Sequence, residues 1–238
     1  MFHDLGPILA QPGLVRGAGT PAPFVGVASP VGVVQVVDAD GLAEDLSNRL
    51  AGPPAAGAVC AWWWAQEASR HLAYRDAQGG IHELLELDGT WYHASLSGHT
   101  GCPAAAGDPV GYAPGDHEHV LFRAVDGHLH ELCFHAGRWL DHDLTAITGC
   151  PAITGQPSGA YIAGRHHVAF RAADGLLHLL RLGLDWRHTP LLRLGRSDSD
   201  PVLAGGGADG AIAWGDGSRW SWARFSDDPF SASAEPLS

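Results

Sequence analysis

Apolar residues in this chain do not recur at the three- and four-residue spacing of a buried helix face. They come in short runs, cut by Gly, Pro and Asp, that are apolar at nearly every position. Such runs read as strands covered on both faces, with tight turns between them. In the middle of the chain the pattern predicts four strands, over 109–113 (PVGYA), 119–125 (HVLFRAV), 128–135 (HLHELCFH) and 138–144 (RWLDHDL). Between the second and third stands Asp126-Gly127, which predicts a hairpin turn because both residue types accept the positive φ such turns need.

The same pattern returns along the chain. The stretch 119–151 has a copy 48 residues upstream, over 71–103, and another that starts 48 residues downstream at His167. Four antiparallel strands at a period near 48 describe a β-propeller blade, whose two faces are covered by its neighbours. A linear stack would leave its end sheets open, and a ring covers them. Five copies are legible, over about 20–53, 54–102, 103–150, 151–195 and 196–230. The first is short and lacks an outer strand. The fifth lacks its RWLDHDL strand, and Phe2-His3-Asp4-Leu5 match His142-Asp143-Leu144, so residues 1–6 are expected to supply it. The expectation is one all-β domain, a five-bladed β-propeller closed by the N-terminal strand, with a six-bladed ring as the rival.

Composition narrows the partners. With 238 residues and 45% hydrophobic content the chain can bury a full core. There is no apolar run long enough for a membrane span, and the N-terminus lacks the basic start and apolar centre of a secretory signal. A cytoplasmic location is expected, with export by another route left open. A formal charge of −12 argues against nucleic acid, whose binding needs clustered Lys and Arg. Cys102 and Cys150 hold the same place in two TGCP corners, so a disulfide between them is not expected, and Cys60 and Cys133 read as small buried apolar residues. No CxxC or Cys/His spacing supports a metal, no nucleophile elbow or phosphate loop occurs, and no cofactor is expected.

Comparing copies separates scaffold from candidate site. Trp91, Trp139 and Trp186 recur, each followed five residues later by Leu96, Leu144 and Leu191, which fits packing between blades. Arg75, Arg123 and Arg171 also recur, as a scaffold ion pair would, with Asp126 or Asp174 as partners. His71 with Glu83 and His119 with Glu131 are each twelve residues apart on adjacent strands. The fourth copy keeps His167 but has Leu179 for the Glu, and the first has Val33 for the His. A His beside a carboxylate under an aromatic wall suits a sugar, whose hydroxyls pair with the carboxylate and whose C–H patches cover the ring. The alternative is a buried structural His–Glu bond between blades. His82, His130 and His178 fall on the opposite face and read as packed histidines.

HLAYRDAQGGIHEL and HVLFRAVDGHLHEL resemble the blade consensus of the fungal fucose-specific lectins and related bacterial propeller lectins, over the second to fourth copies. That resemblance implies an Arg on the second strand and a Glu on the third that bind fucose between blades, assisted by an aromatic residue of a neighbouring blade. Glu83 and Glu131 match the Glu, whereas His71, His119 and His167 stand where the family has Arg; Arg75, Arg123 and Arg171 come four residues later. The rigid Arg fork is therefore absent, and fucose specificity does not carry over with the resemblance. The expected ligand set is His71, Glu83, His119, Glu131 and His167 with Trp91 and Trp139, for a glycan or other small polar ligand, without catalysis. The competing readings are an enzyme with an aromatic site near the axis, built on Trp62, Trp63 and Trp64, and a protein-interaction ring.

Overall fold

The computed structural model describes residues 22–206, 209–217, 219–225 and 234–236. They form five antiparallel sheets, each strand pairing with the next in sequence. The first sheet holds, among the described residues, three strands: β1 (Phe24–Ala28), β2 (Val34–Asp38) and β3 (Ala43–Asp45). The second holds β4 (Cys60–Trp64), β5 (Ser69–Arg75), β6 (Ile81–Leu87) and β7 (Thr90–Ser95). The third holds β8 (Val110–Tyr112), β9 (Glu118–Arg123), β10 (Leu129–His135) and β11 (Arg138–Asp143). The fourth holds β12 (Ser158–Ile162), β13 (Arg165–Arg171), β14 (Leu177–Leu182) and β15 (Trp186–Pro190). The fifth holds β16 (Val202–Gly206), β17 (Asp209–Gly215), β18 (Trp220–Phe225) and β19 (Ala234–Pro236). Consecutive first strands, β1, β4, β8, β12 and β16, lie side by side.

Cores form in the seams between sheets, because a strand's alternate residues face opposite neighbours. Val120 and Phe122 of β9 join Trp62, Ala73 and Ile81 of the second sheet, while Leu121 joins Val168 and Phe170 of the fourth. Val36, Leu72 and Tyr74 fill the first seam, and Leu179, Ile212 and Trp214 the last. Phe122, Leu121 and Phe170 are fully buried. Each such side chain contributes about 1.5–3 kcal/mol. This two-sided burial is why the strands read as apolar throughout.

Three expectations are corrected. At the Asp126-Gly127 turn only Gly127 has positive φ, 83°. Gly127 N–H donates to the Ala124 carbonyl, and Asp126 accepts from the His128 N–H at 2.9 Å. The hairpin thus places one residue, not two, in the left-handed region, and the Asp serves as a hydrogen-bond acceptor. Secondly, the predicted outer strand does not run through Leu144: α1 (Leu96–Thr100) and α2 (Leu144–Thr148) begin there. Ser95 and Asp143 cap their N-termini, and Gly101 and Gly149 end them in the left-handed conformation, which is what the TG of each corner supplies. Leu96 and Leu144 are the first helical residues and are fully buried in the seams, while Leu191 precedes a short 3-10 turn, Leu192–Leu194. Thirdly, Asp126 and Asp174 do not pair with the recurring arginines, since each accepts from its own turn. Arg75 reaches Asp108 of the next sheet at 3.2 Å, where Asp108 also accepts from Ala58 N–H at 2.9 Å, and Arg171 reaches Asp200 at 3.5 Å.

The outer place in the fifth sheet is taken by Ala234–Pro236, which pairs with β18. The repeat pattern assigns that place to Phe2–Leu5, which lie outside the described residues. All four cysteines are free thiols. Among the described residues no helix is long and apolar enough to cross a membrane.

Candidate functional site

The polar residues singled out in the repeats fall in the seams. In the seam between the second and third sheets, Ala73 pairs with Glu83 and His71 with Leu85, so His71 and Glu83 sit diagonally on one face. His71 Nδ1 lies 2.6 Å from Glu83 Oε1 and its Nε2 lies 2.6 Å from Ser69 Oγ. A second carboxylate arrives from β9: Glu118 Oε1 is 2.7 Å from the same Nδ1. All three side chains are 2–3% exposed. Trp62 stacks on His71 at 5.4 Å, Trp64 tilts against it at 5.8 Å, and Trp64 meets Phe134, which packs on Trp139. Burial alone disfavours the imidazolium, but Glu118 and Glu83 outweigh it and hold His71 up at about 10. Burial and the Glu83 charge push Glu118 up to about 8. This seam is closed.

The seam between the third and fourth sheets keeps the His–Glu pair but changes its surroundings. His119 Nδ1 is 2.9 Å from Glu131 Oε1, and His142 Nδ1, from β11, is 3.2 Å from Oε2. Where Glu118 stands in the previous seam, β13 supplies His166, its ring 4.3 Å from that of His119. Tyr112 stacks on His119 at 5.0 Å, and Tyr161 meets the edge of His166 at 5.1 Å. Trp186 packs against the same seam. Burial would raise Glu131, yet the bonds from His119 and His142 pull it down to about 2. The Glu131 bond raises His142, and burial, then the neighbouring His119, lowers His166 to about 4. His142 and Tyr161 bring this seam to solvent, with exposures of 36% and 42%. His119 Nε2 is buried and has no hydrogen-bond partner among the described residues.

The remaining predicted residues are placed elsewhere. His167 is fully buried beside the last seam, with its Nδ1 3.1 Å from the Arg165 carbonyl and Leu179 in the Glu position. Trp91 is not brought to His71 and Glu83; it faces the first sheet, where Arg70 lies over it at 5.3 Å and pairs with Asp38 at 2.5 Å and Glu86 at 2.6 Å. Trp139 does face the His71 seam. His82, His130 and His178 are packed as expected: they stack on Tyr74, Phe122 and Phe170 and bond to His93, Asp141 and His188. Trp62 and Trp64 enter the second seam while Trp63 points to the other face, so strand alternation breaks up the cluster on which an axial aromatic site would rest.

One position escapes the repeat comparison. Arg70, Glu118 and His166 stand 48 residues apart, each just before the recurring His, and each faces the preceding sheet. Because the copies carry three different residue types there, the position does not register as a repeat. Its signal was spacing alone.

No protein-family model matches this sequence, and no curated protein does. Among solved structures, the chain is similar to a variant of the Aleuria aurantia lectin in complex with α-methyl-L-fucoside: 13% identity, TM-score 0.59, over 90% of this chain and 72% of that one. It is similar to the SapL1 lectin in complex with α-methyl fucoside: 12% identity, TM-score 0.58, over 91% and 80%. A further structure of the Aleuria aurantia lectin, described as a six-bladed β-propeller, has 14% identity and TM-score 0.56 over 90% and 77%. At such identities the likeness is one of fold: the sheets are arranged as in the propeller lectins.

Proposed function

We propose that this chain is a carbohydrate-binding protein of the propeller-lectin type, and that it takes a small neutral sugar in the seam between the third and fourth sheets. The observation that carries this reading is His119 Nε2, a buried polar atom without a partner beside the ionised Glu131, in a seam that reaches solvent at His142 and Tyr161. Leaving such an atom unpaired costs about 1–3 kcal/mol, which a ligand hydroxyl recovers. With Nδ1–H donated to Glu131, Nε2 accepts from that hydroxyl, Glu131 and His142 pair with its neighbours, and Tyr161 covers C–H surface. The negative carboxylate disfavours acidic sugars. Both lectins compared above hold an α-methyl fucoside, so fucose is the first sugar to try, although His119 replaces the Arg fork.

The five sheets are proposed to form a five-bladed ring; a crystal structure with a sixth sheet between the first and fifth would replace that reading. Binding is tested on a glycan array followed by titration calorimetry of the best hit. Glu131→Ala should weaken binding at least about tenfold, the loss of a hydrogen bond to a charged group, and Tyr161→Ala should weaken it without unfolding the chain. No hit for any neutral sugar, or binding unchanged in both variants, overturns the proposal.

A further inference from the structure

We infer that His71, Glu83 and Glu118 form a buried site for a first-row divalent cation, with Zn²⁺ as the best fit, that staples the second sheet to the third. The donor atoms of the three residues lie within 4.8 Å of one another. One imidazole nitrogen and two carboxylates suit Zn²⁺ or Mn²⁺, and are too few and too nitrogen-rich for Ca²⁺. Charge points the same way. Among the described residues, His71 is the one basic side chain that contacts either carboxylate. Two buried carboxylates against one imidazole leave negative charge in an apolar setting, under Trp62 and Trp64. A divalent ion held by neutral His71 balances them.

Ser69 supplies an independent sign. Its fully buried Oγ is 2.6 Å from His71 Nε2, the place of the hydroxyl or carbonyl that orients a metal-bound imidazole. With Nε2–H donated to Ser69, the Nδ1 lone pair faces both Glu83 and Glu118, three acceptors directed at one another, an arrangement that a cation resolves. In the absence of metal, a proton has to take its place between His71 Nδ1 and the two carboxylate oxygens, 2.6 and 2.7 Å away. The surface trio Asp116, His117 and His135, with His117 half-buried, is a poor alternative. Its imidazoles are stacked in parallel 4.3 Å apart, at 12°, so their in-plane lone pairs run side by side and do not point at one ion.

The test uses the full chain stripped with EDTA, dialysed at pH 8, and given one equivalent of Zn²⁺, or in a parallel series Mn²⁺. Bound metal is read by native mass spectrometry and by competition with a chelating dye. One ion per chain is expected, bound more tightly as pH rises because its ligands must be deprotonated. Glu118→Gln should weaken binding by more than about 100-fold, and Ser69→Ala by about 10–100-fold, the effect of losing an orienting partner. The double variant His117→Ala/His135→Ala should bind as the natural chain does. A natively folded chain that retains neither metal overturns the site, as does binding that survives Glu118→Gln or is lost in the His117/His135 variant. Should Glu118→Gln fail to fold, undiminished binding by Ser69→Ala is equally decisive against it.

Discussion

Replacing Glu131 by Gln keeps its shape and removes its charge, so the pH dependence of the damage reports how the seam between the third and fourth sheets is held. In the folded chain, bonds from His119 and His142 outweigh burial and hold the Glu131 carboxyl at about 2, against an ordinary value of 4.5. A depressed carboxyl contributes stability that is fully present above its unfolded value and is lost as pH falls toward its folded one. At about 1.4 kcal/mol for each tenfold in acidity, the interval is worth about 3 kcal/mol. Glu131→Gln should therefore cost about 3 kcal/mol at pH 6, about 2 at pH 3.5, and under about 1 at pH 2.5, where the natural chain is itself becoming neutral at this position. Urea denaturation of both proteins across that range measures the gap. His142, raised by Glu131, contributes in the opposite sense: its share is present below its unfolded value of 6.5 and declines as pH rises through its folded one, so pH 6 is the upper reference point. A gap that stays constant from pH 6 to 2.5 refutes the reasoning, because the loss would then come from packing and not from charge.

Three further outcomes are expected. Phe122→Ala empties a fully buried place in the seam between the second and third sheets and should cost about 3–5 kcal/mol in urea denaturation. Asp108→Ala removes the partner of both Arg75 and the Ala58 N–H; a loss of about 1–3 kcal/mol is expected, and one below about 0.5 would show that this clamp between sheets carries little. Burial pushes the Cys60 and Cys133 thiols up to about 11 and about 12, so neither should react with a disulfide reagent at pH 8 until the chain is unfolded, as peptide mass mapping would show.

Most strands and their order were legible because the inner strands are apolar on both faces and most hairpins carry a Gly; the β4–β5 turn, residues 65–68, has none, and the outer strand of the fifth sheet, Ala234–Pro236, carries no repeat signal. The 48-residue period then placed equivalent positions at the same point of the second, third and fourth sheets. The helical turns at Leu96 and Leu144 were legible in principle, from a capping Ser or Asp before the Leu and a Gly after Thr. Five residues are too few to show helical periodicity, and the pattern reads instead as the end of a strand. The His71–Glu83 and His119–Glu131 contacts were also legible, since both partners lie on one hairpin and the register between neighbouring strands follows from the turn.

What joins neighbouring sheets was not legible. Glu118 approaches His71 from 47 residues away, His166 approaches His119 from the same separation, and Asp108 reaches back to Arg75. Those approaches depend on how one sheet is rotated and displaced against the next, a relation set by side-chain packing across the seam and not by the period along the chain. Local pattern therefore determines the sheets and which face each residue takes, while the distance between faces decides their chemistry. Two nearly identical His–Glu pairs end as different sites, one sealed by a second carboxylate and one open beside a third imidazole, because the residue opposite each belongs to the following sheet.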